Sequence, residues 1–202
     1  MTGLPPLVGL VGKKRAGKDT FAGAMDWRFM RVAFADPLRE AAYALNPIVG
    51  WNYLADEPVR YQEAIDLGGY EEAKDDYPEV RGILQRLGTE SIRALDDGFW
   101  LRAGTARIDE LRDSSIRRAQ GMFDAVDTPV VVTDVRYPNE ADAIRERGGV
   151  IVRILRPGTT TVDGHPSENA LDEYAADRII VNDGTLAALE RHAAALSSEL
   201  LA

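Results

Sequence analysis

Short apolar runs alternate with amphipathic stretches along the chain, a pattern typical of an α/β protein with a parallel sheet. The run of valines that ends in the carboxylate of Asp134 is the clearest buried strand. The apolar runs together predict five strands, at residues 7–12, 31–35, 129–134, 150–155 and 178–182. We therefore predict an α/β fold with a parallel sheet of about five strands flanked by helices.

Segments whose apolar residues have helical spacing follow most of these runs. Thr20–Phe29 is predicted to be the helix after the first strand, and Pro37 can open a second helix through Ala44 because proline is tolerated in a first turn. Glu140–Arg147 predicts a helix that Gly148 and Gly149 stop. The last helix is indicated by leucines at positions 186, 189, 196 and 200, with Asp183 expected as its N-cap.

The segment between the second and third strands is too long for an ordinary connection, because it holds about 90 residues without a strong strand signal. Two pieces of it, "GILQRLGTESIRAL" and "FWLRAGTARIDELR", predict helices. We predict one domain over 1–202, with a core at about 7–45 and 128–202 and a mostly helical lobe at about 46–127. A lobe in this place often covers a site at the carboxyl ends of the strands.

Composition narrows the classes of function. The chain has 202 residues with 45% hydrophobic and 28% charged residues, which is ordinary for a soluble enzyme. It contains no cysteine and no apolar run near the roughly 18 residues that a membrane helix needs, and its N-terminus lacks a signal-peptide pattern. The net charge of −9 argues against a nucleic-acid binder. We expect a cytoplasmic protein without membrane or nucleic-acid partners.

The stretch "VGKKRAGKDT" matches most of the phosphate-binding motif G-x-x-x-x-G-K-[ST]. Gly12, Gly17 and Lys18 fall in register, and the predicted strand before and helix after supply the context that the motif requires. Such a loop aims backbone N–H groups and a helix N-terminus at one phosphate, and Lys18 can reach the β- and γ-phosphates. A chance glycine turn that contains a lysine is the disfavoured alternative. Together with the predicted parallel sheet, the motif predicts a three-layer P-loop NTPase fold.

Asp19 occupies the position where the motif has Ser or Thr, whose hydroxyl binds Mg²⁺. A carboxylate is itself a hard oxygen ligand, so Asp19 is a candidate Mg²⁺ ligand, directly or through water. It is equally explained as an acidic residue in the first turn of a helix, where the dipole favours it. Thr20, one residue later, could donate to the α-phosphate.

Basic residues fill the rest of this loop. Lys13, Lys14 and Arg15 lie beside the predicted phosphate cradle, where cations can neutralise charge on a transferring phosphoryl group. The alternative is a solvated loop tip, which we expect for one of the three.

A second cluster, "TDVRYPNEAD", follows the third predicted strand. Asp134 stands at the carboxyl end of that strand, where P-loop enzymes place the acid that organises Mg²⁺. Arg136 is placed to hold a second phosphate in a bidentate manner. Asn139 could simply cap the following helix, and Glu140 could simply favour its first turn or bind substrate.

Five segments taken together resemble the bacteriophage-type deoxynucleoside monophosphate kinases: "GKKRAGKDT", "LGTE…DDGFW", "VVVTDVRYPNEADAIRERGGVIVRILRPG", "HPSE" and "IIVNDGTLAAL". The likeness runs in order from Val8 to about Leu196 and is weak between Trp51 and Glu79. The G-K-D-T form of the loop is usual in that family, so the resemblance makes Asp19 a family trait rather than a defect.

The resemblance implies roles for individual residues. Those that match the family's ATP-phosphate loop are Lys14, Arg15, Gly17, Lys18, Asp19 and Thr20. Asp134, Arg136 and Glu140 match its carboxylate, its phosphate-binding arginine and the acid that follows, and we assign all three to the substrate site. Mg²⁺ is assigned to Asp19 and Asp134, and Lys18, Arg15 and Arg136 are the expected catalytic residues.

The resemblance also extends to the lobe and a short lid. Trp100 falls where the family has a tryptophan at the nucleotide site, although it could instead anchor its helix in the core. Arg81 and Gln85, one helical turn apart, match polar residues that could face the monophosphate. Arg156 and "DGHPSE" match the lid, where we favour His165 as an ordinary loop residue. Asn182, Asp183 and Gly184 match residues beside the adenine.

The implied function is transfer of the γ-phosphoryl of ATP, with Mg²⁺, to a deoxynucleoside 5′-monophosphate. The partners would be small-molecule nucleotides, in the host cytoplasm if a phage encodes the protein, and a homodimer is left open. The alternatives are a P-loop kinase for dephospho-CoA or phosphomevalonate and a nucleotide-binding module without catalysis. A GTPase is disfavoured, because "VNDG" lacks the lysine of the guanine signature N-K-x-D.

Overall fold

A parallel sheet forms the centre of the larger part of the molecule. The computed structural model describes residues 4–119, 121–122, 126–159 and 170–202. The strands of this sheet are β1 (Leu7–Val11), β2 (Met30–Val32), β5 (Val130–Val132), β6 (Val150–Leu155) and β7 (Arg178–Val181). They lie in the order β2-β5-β1-β6-β7, and every neighbouring pair is parallel. The predicted parallel sheet of five strands is confirmed, with β2 and β5 shorter than expected.

Two further strands and eight helices complete the described elements. The strands are β3 (Ile48–Asn52) and β4 (Glu57–Arg60). The helices are α1 (Lys18–Gly23), α2 (Asp36–Leu45), α3 (Tyr61–Asp76), α4 (Pro78–Gln85), α5 (Phe99–Arg112), α6 (Ser114–Ala119), α7 (Pro138–Glu146) and α8 (Leu186–Leu201), with a π-helical segment at Arg86–Arg93.

Helices cover both faces of the sheet, because successive side chains of a strand point to opposite sides. On one face Val8 and Leu10 of β1 pack into a core that includes Phe21 of α1 and Leu189 of α8. On the other face Gly9 leaves room for α7, since a Cβ there would lie 2.7 Å from the Cδ1 of Ile144. The layers helix, sheet and helix are those of the predicted P-loop fold.

Two helix boundaries differ from the prediction. The helix predicted at Thr20–Phe29 ends at Gly23, where Ala24 N–H closes the last turn. Met25 and Phe29 are still buried, so their spacing reflected burial and not a helix. Asp183 was the wrong choice of N-cap, because the cap lies two residues later, where the Thr185 hydroxyl accepts from Ala188 N–H at 3.3 Å.

The chain divides into two compact units. The larger comprises Met1–Phe34 and Thr105–Ala202 and contains the parallel sheet, and the smaller comprises Ala35–Gly104. These limits differ from the predicted lobe at 46–127, because α2 groups with the smaller unit and the end of α5 with the sheet. This division does not test whether residues 1–202 function as one domain, which stays a prediction.

The smaller unit contains a β-hairpin that the sequence analysis did not anticipate. Strands β3 and β4 pair antiparallel, with a register irregularity between Ile48 and Gly50. Both strands are short and carry Gly50 and Pro58, which weaken a strand signal. Helix α3 changes direction at Gly69, whose φ of 75° suits glycine. The core of this unit is made of Ala42, Val49, Val59, Tyr61, Ala64, Ala73 and Val80.

Candidate active site

The glycine loop between β1 and α1 is built as a phosphate cradle. Gly17 is the N-cap of α1 and has a left-handed backbone, with φ 102°, which glycine adopts without a Cβ penalty. Gly12 lies against β6, since a Cβ there would be 2.5 Å from the carbonyl oxygen of Ile154. Ala16 is buried between them. The two motif glycines are therefore required by the conformation of the loop and by its close packing.

Lys18, the first residue of α1, reaches back across the loop. Its Nζ donates to the carbonyl oxygens of Gly12, at 2.6 Å, and Lys13, at 3.1 Å. A peptide group is planar and trans, so its N–H points away from its C=O. By holding these two carbonyls, Lys18 directs the N–H groups of Lys13 and Lys14 to the other side. The ammonium also adds positive charge at a helix N-terminus, where anions are favoured.

Asp19 and Thr20 are both in the first turn of α1, where neither side chain is buried. This position suits a metal or phosphate ligand, and it equally suits an acidic residue that complements the helix dipole. The roles of Asp19 and Thr20 therefore stay predictions.

The three basic residues of the loop differ in their surroundings. Lys13 forms an ion pair with Asp172, with 2.5 Å between Nζ and Oδ1. Lys14 and Arg15 are exposed, and Arg15 has a left-handed backbone with φ 63°. The Arg15 carbonyl accepts a long hydrogen bond of 3.4 Å from Arg156, which follows β6. The loop is thus tied to segments distant in sequence, and Asp172 had no signal in the sequence analysis.

The second predicted cluster lies at the same edge of the sheet as the glycine loop. Strands β1 and β5 are parallel neighbours, so the residues that follow them emerge side by side. Asp134 closely follows β5, and its Oδ1 accepts the backbone N–H of Phe34 at 2.7 Å. Arg136 is exposed beyond it. The topology therefore brings the Lys18 loop, Asp134 and Arg136 to one edge.

Glu140 shapes the loop that carries these residues. Its side chain is buried, and its Oε2 accepts backbone N–H groups from Arg136, at 2.7 Å, and Tyr137, at 3.1 Å. These bonds connect the first turn of α7 to the preceding loop as half of a capping box. Asn139, the candidate cap, accepts the Glu140 N–H on its Oδ1 at 3.1 Å, while Tyr137 is the N-cap.

The lobe candidates belong to the smaller unit. Arg81 on α4 is exposed and pairs with Asp75, with 3.0 Å between Nη2 and Oδ1, and Gln85 is exposed one turn later. Trp100 is buried, and its indole Nε1 donates to the Gly88 carbonyl at 2.9 Å. That bond supports the interpretation of Trp100 as an anchor for its helix. The substrate roles of all three residues stay predictions.

Asn182, one of the three residues predicted beside the adenine, contacts the glycine loop. Asn182 directly follows β7, and its side-chain Nδ2 donates to the Ala16 carbonyl at 2.9 Å. The predicted lid sequence "DGHPSE", including His165, lies outside the described residues. Arg156, the other lid residue, is described and contacts Arg15 as given above.

Over the ranges that the structure describes, no group of three or more His, Cys, Asp or Glu side chains is arranged to hold a metal ion. A Mg²⁺ ion can instead take most of its ligands from substrate phosphates and water, with one or two carboxylates from the protein. None of the helices within these described residues is long and apolar enough to cross a membrane.

Proteins of similar sequence point to one family. The family model described as deoxynucleotide monophosphate kinase matches residues 56–193. A relative from Acanthamoeba polyphaga mimivirus, provisionally named a deoxynucleotide monophosphate kinase, is 32% identical over 189 residues, which cover 89% of this chain and 90% of that protein. The deoxynucleotide monophosphate kinase of Escherichia phage RB69 is 29% identical over 147 residues, 69% of this chain and 55% of that protein.

The kinase of the same name from Enterobacteria phage T4 is 30% identical over 113 residues, which are 55% of this chain and 42% of that protein. The match thus spans about half the length of each phage protein. Among solved structures, a dephospho-CoA kinase from Campylobacter jejuni aligns over 97% of each chain with 14% identity and a TM-score of 0.44. That likeness is too low to bear on the acceptor.

Proposed function

The chain belongs to the deoxynucleotide monophosphate kinase family, and we propose that it transfers the γ-phosphoryl group of ATP to a deoxynucleoside 5′-monophosphate. The products are ADP and the deoxynucleoside diphosphate. The observation that carries the proposal is the Lys18 ammonium lying across the carbonyls of Gly12 and Lys13 in a strand–loop–helix. This arrangement suits a polyphosphate at the start of α1.

The donor end of the site consists of the glycine loop and its cations. Backbone N–H groups of the loop cradle the β-phosphate, and Lys18 neutralises charge on the β- and γ-phosphates. Lys14 and Arg15 are exposed on the same loop and add positive charge as the phosphoryl group transfers. Thr20 is our candidate for the α-phosphate.

The acceptor end follows β5, next to the donor loop. Arg136 binds the acceptor phosphate and holds it in line with the γ-phosphorus. An ionised oxygen of that phosphate forms the new O–P bond while the bond to the β–γ bridging oxygen breaks, and the electron pair leaves with ADP. No general base is required, because the nucleophile is already ionised. The roles of Arg81, Gln85 and Trp100 in acceptor binding stay predictions from the sequence.

The residues present fit a magnesium ion. Asp19 and Asp134 offer carboxylate oxygens, the hard ligands that Mg²⁺ prefers, and Asp134 is oriented by the Phe34 N–H. When bound, Mg²⁺ would screen the phosphate charge and help orient the γ-phosphoryl group. We propose that these two carboxylates hold it, directly or through water.

A coupled ADP-release assay with each deoxynucleoside monophosphate tests the proposed function. Dephospho-CoA and phosphomevalonate serve as competing acceptors in the same assay. We expect turnover with one or more deoxynucleotides and loss of about two to three orders of magnitude in rate for Lys18→Ala. Lys74→Ala, at a lysine paired with Glu71 on α3, is the matched control and should keep the wild-type rate.

The assay also separates the alternatives. Turnover with dephospho-CoA or phosphomevalonate alone would replace the deoxynucleotide proposal. Binding of ATP without ADP release to any acceptor would favour a regulatory nucleotide-binding module. A near-normal rate for Lys18→Ala would remove Lys18 from its proposed role.

A further inference from the structure

Asn182 connects the last strand of the sheet to the glycine loop. Its backbone N–H donates to the Leu155 carbonyl at 2.6 Å, which fixes the residue beside the end of β6. Its side-chain Nδ2 donates to the Ala16 carbonyl at 2.9 Å. An amide that is anchored at its own backbone thus holds a loop 166 residues away in sequence.

The carbonyl that Asn182 holds belongs to the peptide group between Ala16 and Gly17. Because that group is planar and trans, fixing the Ala16 oxygen also fixes the direction of the Gly17 N–H. Gly17 is the N-cap of α1, where the loop enters the helix. Lys18 orients the first two peptide groups of the loop in the same way, so Asn182 and Lys18 act on opposite ends of the cradle.

The contact is also sterically close. A Cβ built on Gly17 would lie 2.7 Å from the Asn182 Nδ2. The absence of a side chain at Gly17 therefore leaves the Asn182 amide the room in which it reaches the Ala16 carbonyl.

We propose that Asn182 is a positioning residue for the phosphate loop, which aims the Gly17 N–H into the donor site and so sets the affinity for the phosphates of ATP. This role rests on the proposed kinase function. Since the contact is confined to the donor loop, its loss should weaken ATP binding and leave acceptor binding unchanged.

The test compares Asn182→Ala and Asn182→Asp with the wild-type protein. We expect the KM for ATP to rise about three- to tenfold in Asn182→Ala, the range for one hydrogen bond. Asn182→Asp should raise it at least as much, because a carboxylate oxygen would face the Ala16 oxygen. The KM for the acceptor and the unfolding temperature of the nucleotide-free protein should stay near wild type.

The matched control is Asn52→Asp. The Asn52 side chain also binds backbone groups, because its Oδ1 accepts the N–H groups of Leu54 and Ala55 in the hairpin turn. This variant should leave the KM for ATP unchanged. An unchanged KM for ATP in Asn182→Ala would overturn the proposal. A rise found only in Asn182→Asp would then be an effect of the added charge and not of the lost hydrogen bond. Equal rises for both substrates, or a large loss of stability, would also overturn it by indicating a general structural role.

Direct binding of Mg²⁺-ATP by calorimetry keeps this test independent of the proposed function. If the wild-type protein binds ATP but phosphorylates none of the deoxynucleotides, the acceptor assignment fails. The comparison of ATP affinity between wild type and Asn182→Ala then still decides the role of Asn182.

Discussion

The Glu140 carboxylate accepts the backbone N–H of Arg136, with 2.7 Å between Oε2 and N. The same oxygen accepts Tyr137 N–H, and the side chain is only 8% exposed. A buried acceptor with these bonds fixes the loop between β5 and α7. We therefore interpret Glu140 as a residue that positions Arg136, whereas its predicted contact with substrate stays a prediction.

Replacing Glu140 should separate these two roles. Glu140→Ala leaves two backbone N–H groups without their acceptor, which should cost about 1 to 3 kcal/mol of unfolding free energy and raise the KM for the acceptor. Glu140→Gln keeps one oxygen as an acceptor and should restore most of both. Urea unfolding and steady-state kinetics measure the two effects. A large rise in KM for Glu140→Gln at wild-type stability would instead indicate direct binding of substrate.

Gly12→Ala should damage the donor site through packing. The added Cβ would lie 2.5 Å from the Ile154 carbonyl oxygen, a backbone atom that cannot rotate away. We expect a loss of about 1 to 3 kcal/mol in unfolding free energy and weaker ATP binding. Gly23→Ala, at the end of α1, is the control, because its nearest neighbour is the Arg31 Nη1 at 3.6 Å. A Gly12→Ala protein with normal ATP affinity would contradict the close packing of the loop.

The parts of the fold that could be predicted are those with a local signal. The run of valines before Asp134 indicates a buried strand even when its neighbouring strands are not known. The G-x-x-x-x-G-K spacing likewise specifies a backbone shape from a few consecutive residues, and Gly17 lies in the left-handed region. Parallel topology then follows, since alternating strands and helices leave few other arrangements.

The parts that could not be predicted depend on contacts between distant residues. Asn182 meets Ala16, and Asp172 meets Lys13, because β7 and the segment before it are brought beside the loop by the sheet. No spacing of residues in the sequence predicts such pairs. The hairpin was missed for a different reason. Gly50 and Pro58 weaken the local strand signal, and the two strands form nonetheless because they pair with each other.

Arg112 provides a second test of contacts between distant residues. It is only 3% exposed, and its guanidinium donates to the carbonyls of Pro5, at 2.7 Å, and Arg147, at 2.9 Å. Burial lowers the pKa of Arg112, and nearby Asp109 partly offsets this. Arg112→Met should remove both bonds and cost about 2 to 4 kcal/mol in unfolding free energy.

The control for Arg112 is Arg178→Met. Arg178 pairs with Glu199, and both side chains are more than half exposed, so the loss should stay below about 1 kcal/mol. Urea unfolding of the two variants gives the comparison. Equal stability of Arg112→Met and wild type would show that the buried guanidinium contributes nothing beyond its volume.

Trp100→Phe distinguishes an anchor from a base-stacking residue. Phenylalanine keeps an aromatic plane but loses the indole N–H that donates to Gly88. We expect a loss of about 1 to 2 kcal/mol in unfolding free energy with a small change in the KM for the acceptor. Trp27→Phe, at a tryptophan that is 89% exposed, should change neither. Normal stability of Trp100→Phe would contradict the anchor role, and a large KM increase in Trp100→Ala alone would then favour stacking.

Asp19→Asn and Asp134→Asn should reveal which carboxylate serves magnesium. Both changes keep the shape of the side chain and remove one negative charge, and in Asp134→Asn the new amide oxygen can still accept the Phe34 N–H. A carboxylate ligand binds Mg²⁺ less tightly once its charge is removed. The Mg²⁺ concentration for half-maximal rate should therefore rise about tenfold or more, which is the loss of metal affinity usual when a ligand or a residue that supports one is replaced. Titration of Mg²⁺ at saturating ATP measures this value, and Asp76→Asn, at the exposed last residue of α3, is the control. If Asp19→Asn keeps the wild-type value while Asp134→Asn raises it, Asp19 serves only the dipole of α1, and the metal depends on Asp134 and the phosphates. Unchanged values in both variants would contradict the assignment of Mg²⁺ to either carboxylate.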